Sequence, residues 1–131
     1  MKTFGLIGKN IDYSFSRGYF KDKFKINKLD CTYKNFDLES VESFEKLKEN
    51  RNAFSGFNVT IPYKEVILPY LDYVDSEAEE IGAVNTIKIK DHQLIGYNTD
   101  HYGFKNSLLP HLKPQHKRAL ILGTGGASKA V

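Results

Sequence analysis

Short apolar runs alternate along this chain with stretches of helical spacing, and each run is closed within a residue or two by glycine, proline or a polar cluster. This alternation constrains the fold more than any other feature. A short strand followed by an amphipathic helix buries its apolar side only as helix on sheet, so the chain reads as α/β. The strand-like runs are residues 4–7 (ending at Gly8), 31–38, 54–59 (broken by Gly56), 84–89, 94–97 and 119–122. Between them, Tyr19, Phe20, Phe24 and Ile26 recur at roughly helical spacing among lysines, and Val41, Phe44 and Leu47 fall at i, i+3, i+6. Pro62 opens a further helix that carries Val66, Ile67 and Leu68 toward Pro69. Ser76 and Glu79 form a capping box for a short helix. Lys90-Asp91-His92-Gln93 joins two runs as a β-hairpin turn. Asp100 is the N-cap of a helix carrying Tyr102, Phe104, Leu108 and Leu109, ended by Pro110 and Pro114.

Composition narrows the function classes. A chain of 131 residues holds one ordinary domain and not two. Cys31 is the only cysteine, which excludes an intrachain disulfide and a four-thiolate zinc site. His92, His101, His111 and His116 lack metal-ligand spacing and read as surface residues, so no metal is expected. The net charge of +3 is carried by lysines dispersed among acidic residues, where a nucleic-acid groove needs clustering. No apolar run approaches the roughly 18 residues of a membrane span. The first eight residues are too short and glycine-broken for a signal sequence. A cytoplasmic protein with neither nucleic-acid nor membrane partners is the expectation.

Five segments carry residues able to do chemistry. In Ser14-Phe15-Ser16 an extended backbone would set both hydroxyls on one side, with Phe15 turned into the core, and paired hydroxyls can hold a carboxylate. The alternative is that Ser16 caps the following helix. Asn58-Val59-Thr60-Ile61-Pro62-Tyr63-Lys64 joins a strand end to a helix start, the edge at which α/β sheets take ligands. A lysine in a first helical turn is disfavoured by the dipole, which would push its pKa down and suit proton transfer. A solvent-facing lysine is the bland alternative. Gly82-Ala83-Val84-Asn85-Thr86 and Gly96-Tyr97-Asn98-Thr99-Asp100 flank the hairpin, so Asn85 and Asp100 approach each other if it closes. Finally, the 119–122 run enters Gly123-Thr124-Gly125-Gly126-Ala127 and a helix start at Ser128. Glycines there let the backbone approach a pyrophosphate at a helix N-terminus. Ser128 stands where a third glycine usually does, and such turns also occur without ligands.

In order, these segments are S-x-S after the first strand, N-V-T-I-P-x-K, G-A-V-N-T, G-x-N-T-D and G-x-G-G-A. The series resembles the shikimate dehydrogenase family over nearly the whole chain. The resemblance implies a three-layer α/β/α substrate domain with a mostly parallel mixed sheet, then the first strand and Gly-rich turn of a truncated Rossmann domain. It divides the chain into a shikimate-binding catalytic domain (1–100), a linking helix and linker (101–116) and the start of an NADP-binding domain (117–131). It implies NADPH-dependent, reversible reduction of 3-dehydroshikimate to shikimate. Lys64 and Asp100 would be the catalytic pair, with Lys64 exchanging the proton. Ser14 and Ser16 would bind the substrate carboxylate, Asn58 and Thr60 shape the pocket, and Asn85 bind a ring hydroxyl. Gly123, Thr124, Gly125, Gly126 and Ala127 would cradle NADP.

The resemblance has departures. The family has histidine before the first serine and proline after the second, where this chain has Tyr13 and Arg17. The chain is expected to be an inactive N-terminal portion whose substrate domain lacks a completing C-terminal helix. The sheet surface left uncovered would favour self-association. The alternatives are an NAD-dependent quinate/shikimate dehydrogenase and a non-catalytic shikimate-binding relative.

Overall fold

A computed structural model describes residues 1–131. The strands are β1 (Lys2–Gly8), β2 (Cys31–Asp37), β3 (Gly56–Val59), β4 (Tyr73–Val74), β5 (Thr86–Lys90) and β6 (Gln93–Tyr97). The helices are α1 (Ser16–Ile26), α2 (Phe44–Glu49), α3 (Ser76–Ile81), α4 (Asp100–Leu108) and α5 (Gly126–Lys129). The six strands form one sheet in the order β2-β1-β3-β5-β6-β4. β1 pairs in parallel with β2 and β3, and β4 with β6, while β5 runs antiparallel to both of its neighbours. The expected mixed, mostly parallel α/β sheet is therefore present.

Side-chain alternation splits each strand between two faces. On β1, Ile7 joins Phe44, Phe57, Val59, Ile67, Ile87 and Leu94 in the larger core. α2, the 3-10 turn Leu68–Tyr70 and α3 cover this face. Leu6 faces the other way with Tyr33 and Ile11, and Phe20 and Phe24 of α1 cover them. Three layers result, with α1 alone on the second face. The hairpin turn forms as read: Asp91 and His92 have φ of 50° and 64°, the left-handed pair that a two-residue type I′ turn requires. Contacts from outside hold this tip, with His92 Nδ1 2.6 Å from Asn52 Oδ1 and Arg51 Nη1 donating to His92 O.

Several local expectations are corrected. No α-helix follows Pro62; residues 61–67 are turns with a cis Ile61–Pro62 bond, leading to the 3-10 turn at Leu68–Tyr70. The stretch between the two prolines is under two helical turns, and Pro69 has no N–H to give Glu65. The cap of α3 is Asp75, one residue earlier than read, whose carboxylate accepts from Glu77 N. Phe15 is not in the core but 79% exposed, because residues 12–15 turn where an extended run was read. Residues 119–122 form no strand, and Leu120 and Leu122 are 84% and 87% exposed. An apolar run becomes a strand by pairing, and no strand lies beside this one. No helix is long and apolar enough to cross a membrane.

Candidate active site

Four strand ends meet at one edge of the sheet. β1 and β3 are parallel and end there at Gly8 and Val59; β5 starts there at Thr86, opposite Tyr97, where β6 ends. Backbone bonds tie the connecting loops to this edge. Thr60 N donates to Ile7 O (2.9 Å), Val59 N to Asn85 O (2.8 Å), Asn85 N to Tyr97 O (3.1 Å) and Val84 N to Lys64 O (2.7 Å). Lys64 is thus placed by its own carbonyl, held against the segment that leads into β5. Lys64 lies in a turn and not in the first turn of a helix, so no helix dipole acts on it as expected.

Closure of the hairpin brings the predicted pair together. Lys64 Nζ lies 2.5 Å from Asp100 Oδ2, with the side chains 19% and 35% exposed. The other carboxylate oxygen, Oδ1, accepts from Asn85 Nδ2 at 2.8 Å. Asn85 is itself held: Nδ2 also donates to Thr99 Oγ1 (2.8 Å), and Oδ1 accepts from Thr99 N (2.9 Å) and the Thr86 hydroxyl (3.0 Å). Asp100 does not cap α4. It is the first helical residue, and Asn98 Oδ1 accepts from the N–H groups of Asp100 and His101. Asn98 is buried, with its Nδ2 bonded to Ala83 O. Relieved of capping, the Asp100 carboxylate is available to the lysine.

Asn58 and Thr60 border the same edge. Asn58 Nδ2 donates to Thr86 Oγ1 (3.4 Å) and its Oδ1 accepts from Tyr33 Oη (2.9 Å). The Thr60 methyl packs over Gly8, where a Cβ would sit 2.6 Å away. Ser14 and Ser16 lie in the loop after β1, at the start of α1. Their relation differs from the expected extended pair, since Ser14 Oγ accepts from Ser16 N at 3.3 Å. The Ser14 oxygen, not that of Ser16, supports the first turn of α1, and neither serine bonds directly to the Lys64 cluster.

The glycine-rich turn returns to this site. Gly123 has φ of 134°, a conformation side-chain-bearing residues rarely adopt, and a Cβ on Gly125 would meet nothing within 4 Å. A Cβ on Gly126 would lie 2.9 Å from the Lys64 Cβ and 3.2 Å from that of Ala83. Around this contact His101 Nδ1 lies 3.0 Å from Ala130 O, Ala130 is buried, and Lys129 pairs with Glu65. Reading the sequence alone missed Tyr33, Thr86, Asn98 and Thr99. The last three lie inside the quoted motifs; Tyr33 shows only as a hydroxyl on an inward-facing strand position.

The chain is similar to known proteins along its whole length. Residues 6–87 match the family model described as shikimate dehydrogenase substrate binding domain. The chain is 44% identical to "Shikimate dehydrogenase (NADP(+))" of Clostridium botulinum (strain Hall), covering 100% of this chain and 52% of that protein. The crystal structure of shikimate dehydrogenase 1 from Peptoclostridium difficile superposes with a TM-score of 0.89 at 44% identity, covering 99% of this chain and 49% of that one. The Thermus thermophilus shikimate 5-dehydrogenase in complex with NADP(H) and shikimate gives 0.88 at 38% identity, covering 100% and 50%. The chain spans about half the length of the curated relatives it matches. With the family model matching well over half of its residues, the chain belongs to the shikimate dehydrogenase substrate-binding domain family.

Proposed function

We propose that this chain is the substrate-binding part of an NADPH-dependent shikimate dehydrogenase, with residues 1–100 forming the shikimate site, 101–116 the link and 117–131 the start of the cofactor domain. The observation that carries the reading is the Lys64–Asp100 pair, 2.5 Å apart, with the second carboxylate oxygen engaged by Asn85. A lysine so placed can give a proton to a carbonyl oxygen as it becomes a hydroxyl and take it back in reverse. Asp100 orients the ammonium, its Oδ2 accepting from Lys64 Nζ. Ser14 and Ser16 receive the substrate carboxylate as hydroxyl donors, Asn58 and Thr60 border the ring, and Asn85 contacts a ring hydroxyl.

The residues present fit a dinucleotide. Gly123 supplies a backbone angle open to glycine, and the position beside Gly125 is open space. Gly123, Thr124, Gly125, Gly126 and Ala127 would line the pyrophosphate, and NADP(H) supplies the hydride chemistry when bound. The names of the relatives and the NADP(H)–shikimate complex of the Thermus protein support this cofactor.

The test is Lys64→Ala in the full-length enzyme. Loss of a positioned proton donor costs about 10²–10⁴-fold in turnover, with a much smaller change in KM. Turnover near that of the unaltered enzyme overturns the assignment. For the 131-residue chain alone we propose association through the second sheet face, where a groove of about 350 Å³ lies between Phe4, Phe20, Phe24, Ile87 and Tyr97. A monomer at all concentrations in sedimentation equilibrium overturns that part.

A further inference from the structure

Tyr33 lies on β2, with β1 and β3 between it and β5, yet it begins an unbroken series of side-chain hydrogen bonds that ends at the Lys64–Asp100 pair. Its hydroxyl donates to Asn58 Oδ1 (2.9 Å), and Asn58 Nδ2 donates to Thr86 Oγ1 (3.4 Å). The Thr86 hydroxyl donates to Asn85 Oδ1 (3.0 Å), and Asn85 Nδ2 to Asp100 Oδ1 (2.8 Å). Every bond donates in the same direction, toward the carboxylate.

Polarity along such a series is set at its ends. Asp100, ionised beside Lys64, can only accept. An amide has no preference of its own, because turning it by half a rotation exchanges its donor and acceptor at little cost in shape. Asn58 is therefore oriented by its neighbours. Thr86 directs it from one side: its proton goes to Asn85 Oδ1, whose amide is fixed by the Thr99 N–H and by Asp100, so the Thr86 oxygen is left to accept from Asn58. Tyr33 stands on the other side and meets that arrangement as a donor. Burial pushes its pKa up to about 12, so near neutral pH it keeps its proton. With the Tyr33 proton on Oδ1, the Asn58 N–H₂ faces Thr86 and the site edge.

We infer that Tyr33 is a positioning residue of the substrate site, whose hydroxyl holds the Asn58 amide in the orientation that the Asp100 end of the series requires. The inference rests on the shikimate site proposed above. The tyrosine ring has a separate packing role, stacked on Phe20 with centroids 4.5 Å apart and 14° between planes. Tyr33→Phe keeps that ring and removes only the hydroxyl, so it separates the two roles.

Two measurements decide it. The first is the Asn58 side-chain amide in ¹⁵N–¹H spectra of this chain, read without ligand. Tyr33→Phe is expected to shift both Asn58 amide protons and to speed their exchange with water at least about tenfold, as for a lost bond of about 1.4 kcal/mol. Unchanged shifts and exchange overturn the inference. The second is titration with shikimate of the unaltered chain, Tyr33→Phe, Asn58→Ala and the double variant. Tyr33→Phe is expected to weaken binding about tenfold, and the double variant to bind no worse than Asn58→Ala alone, because the hydroxyl acts through Asn58. Full additivity, or binding by Tyr33→Phe equal to that of the unaltered chain, overturns the inference. An unaltered chain that does not take up shikimate would count against the proposed site instead, and the amide measurement alone then decides the role of Tyr33.

Discussion

Gly126 sits directly on Lys64: a Cβ at position 126 would lie 2.9 Å from the lysine's Cβ, closer than real Cβ atoms come. The turn proposed to hold the cofactor is therefore in contact with the residue proposed to move the proton. The Lys129–Glu65 pair and the contact of His101 with Ala130 O secure the same junction from both sides. This contact sets where the turn stands relative to Lys64, independently of any ligand.

Gly126→Val should loosen the junction. Overpacking of this kind costs about 1–3 kcal/mol, which as a docking equilibrium is a loss of about 5- to 150-fold. The residues that Gly126 rests on, Lys64 and Ala83, lie outside the strands, so the cost falls on docking and not on the sheet. Hydrogen exchange should accelerate at Lys129 and Ala130, whose N–H groups donate to Gly125 O and Ala127 O, and remain unchanged in β1 and β3. Acceleration spread across the sheet would contradict a local junction.

Asn85→Ala should cost more than an ordinary polar deletion. The amide is nearly buried and uses both its oxygen and its nitrogen, and its loss leaves Thr99 N without its partner and Asp100 Oδ1 without its donor. Unpaired buried groups cost about 1–3 kcal/mol. Urea unfolding should show a lower midpoint with an unchanged slope, since the surface exposed on unfolding hardly alters. A midpoint within error of the unaltered chain would mean the network relaxes onto water.

What could be read from sequence was whatever local chemistry decides. The hairpin was legible because Asp91 and His92 lie in a two-residue turn between alternating strands, and its closure put Asn85 and Asp100 at one place. Failures came where a neighbour decides. Pro62 was read as a helix opening, but Pro69 seven residues on leaves too little chain. The 119–122 run looks like a strand and has nothing to pair with. Asp100 and Ser76 both read as caps or cap partners, and in each case a residue shortly before, Asn98 or Asp75, supplies the oxygen. The role of Tyr33 was illegible because its partner Asn58 lies 25 positions away and only the β1 pairing register brings them together.

The two tyrosines with displaced titration give a pH dependence of known sign. Burial raises Tyr33 to about 12. Tyr63, donating to Leu38 O, is raised by burial first and then by the negative charges of Glu39, Asp37 and Glu42. An unfolded tyrosine ionises near pH 10. Between about 10 and about 12 the unfolded chain therefore gives up protons that the folded chain keeps, and stability falls as pH rises. The contribution is complete below about pH 10 and is lost as pH climbs through the folded value. Lysines titrate in the same window, so the measurement is a difference: urea midpoints across this range for the unaltered chain, Tyr33→Phe and Tyr63→Phe. Each variant starts from a lower midpoint, having lost a hydrogen bond, yet should decline less steeply, having no proton to release at that position. Three parallel lines would show that neither phenol keeps its proton in the folded chain beyond the pH at which an unfolded one loses it.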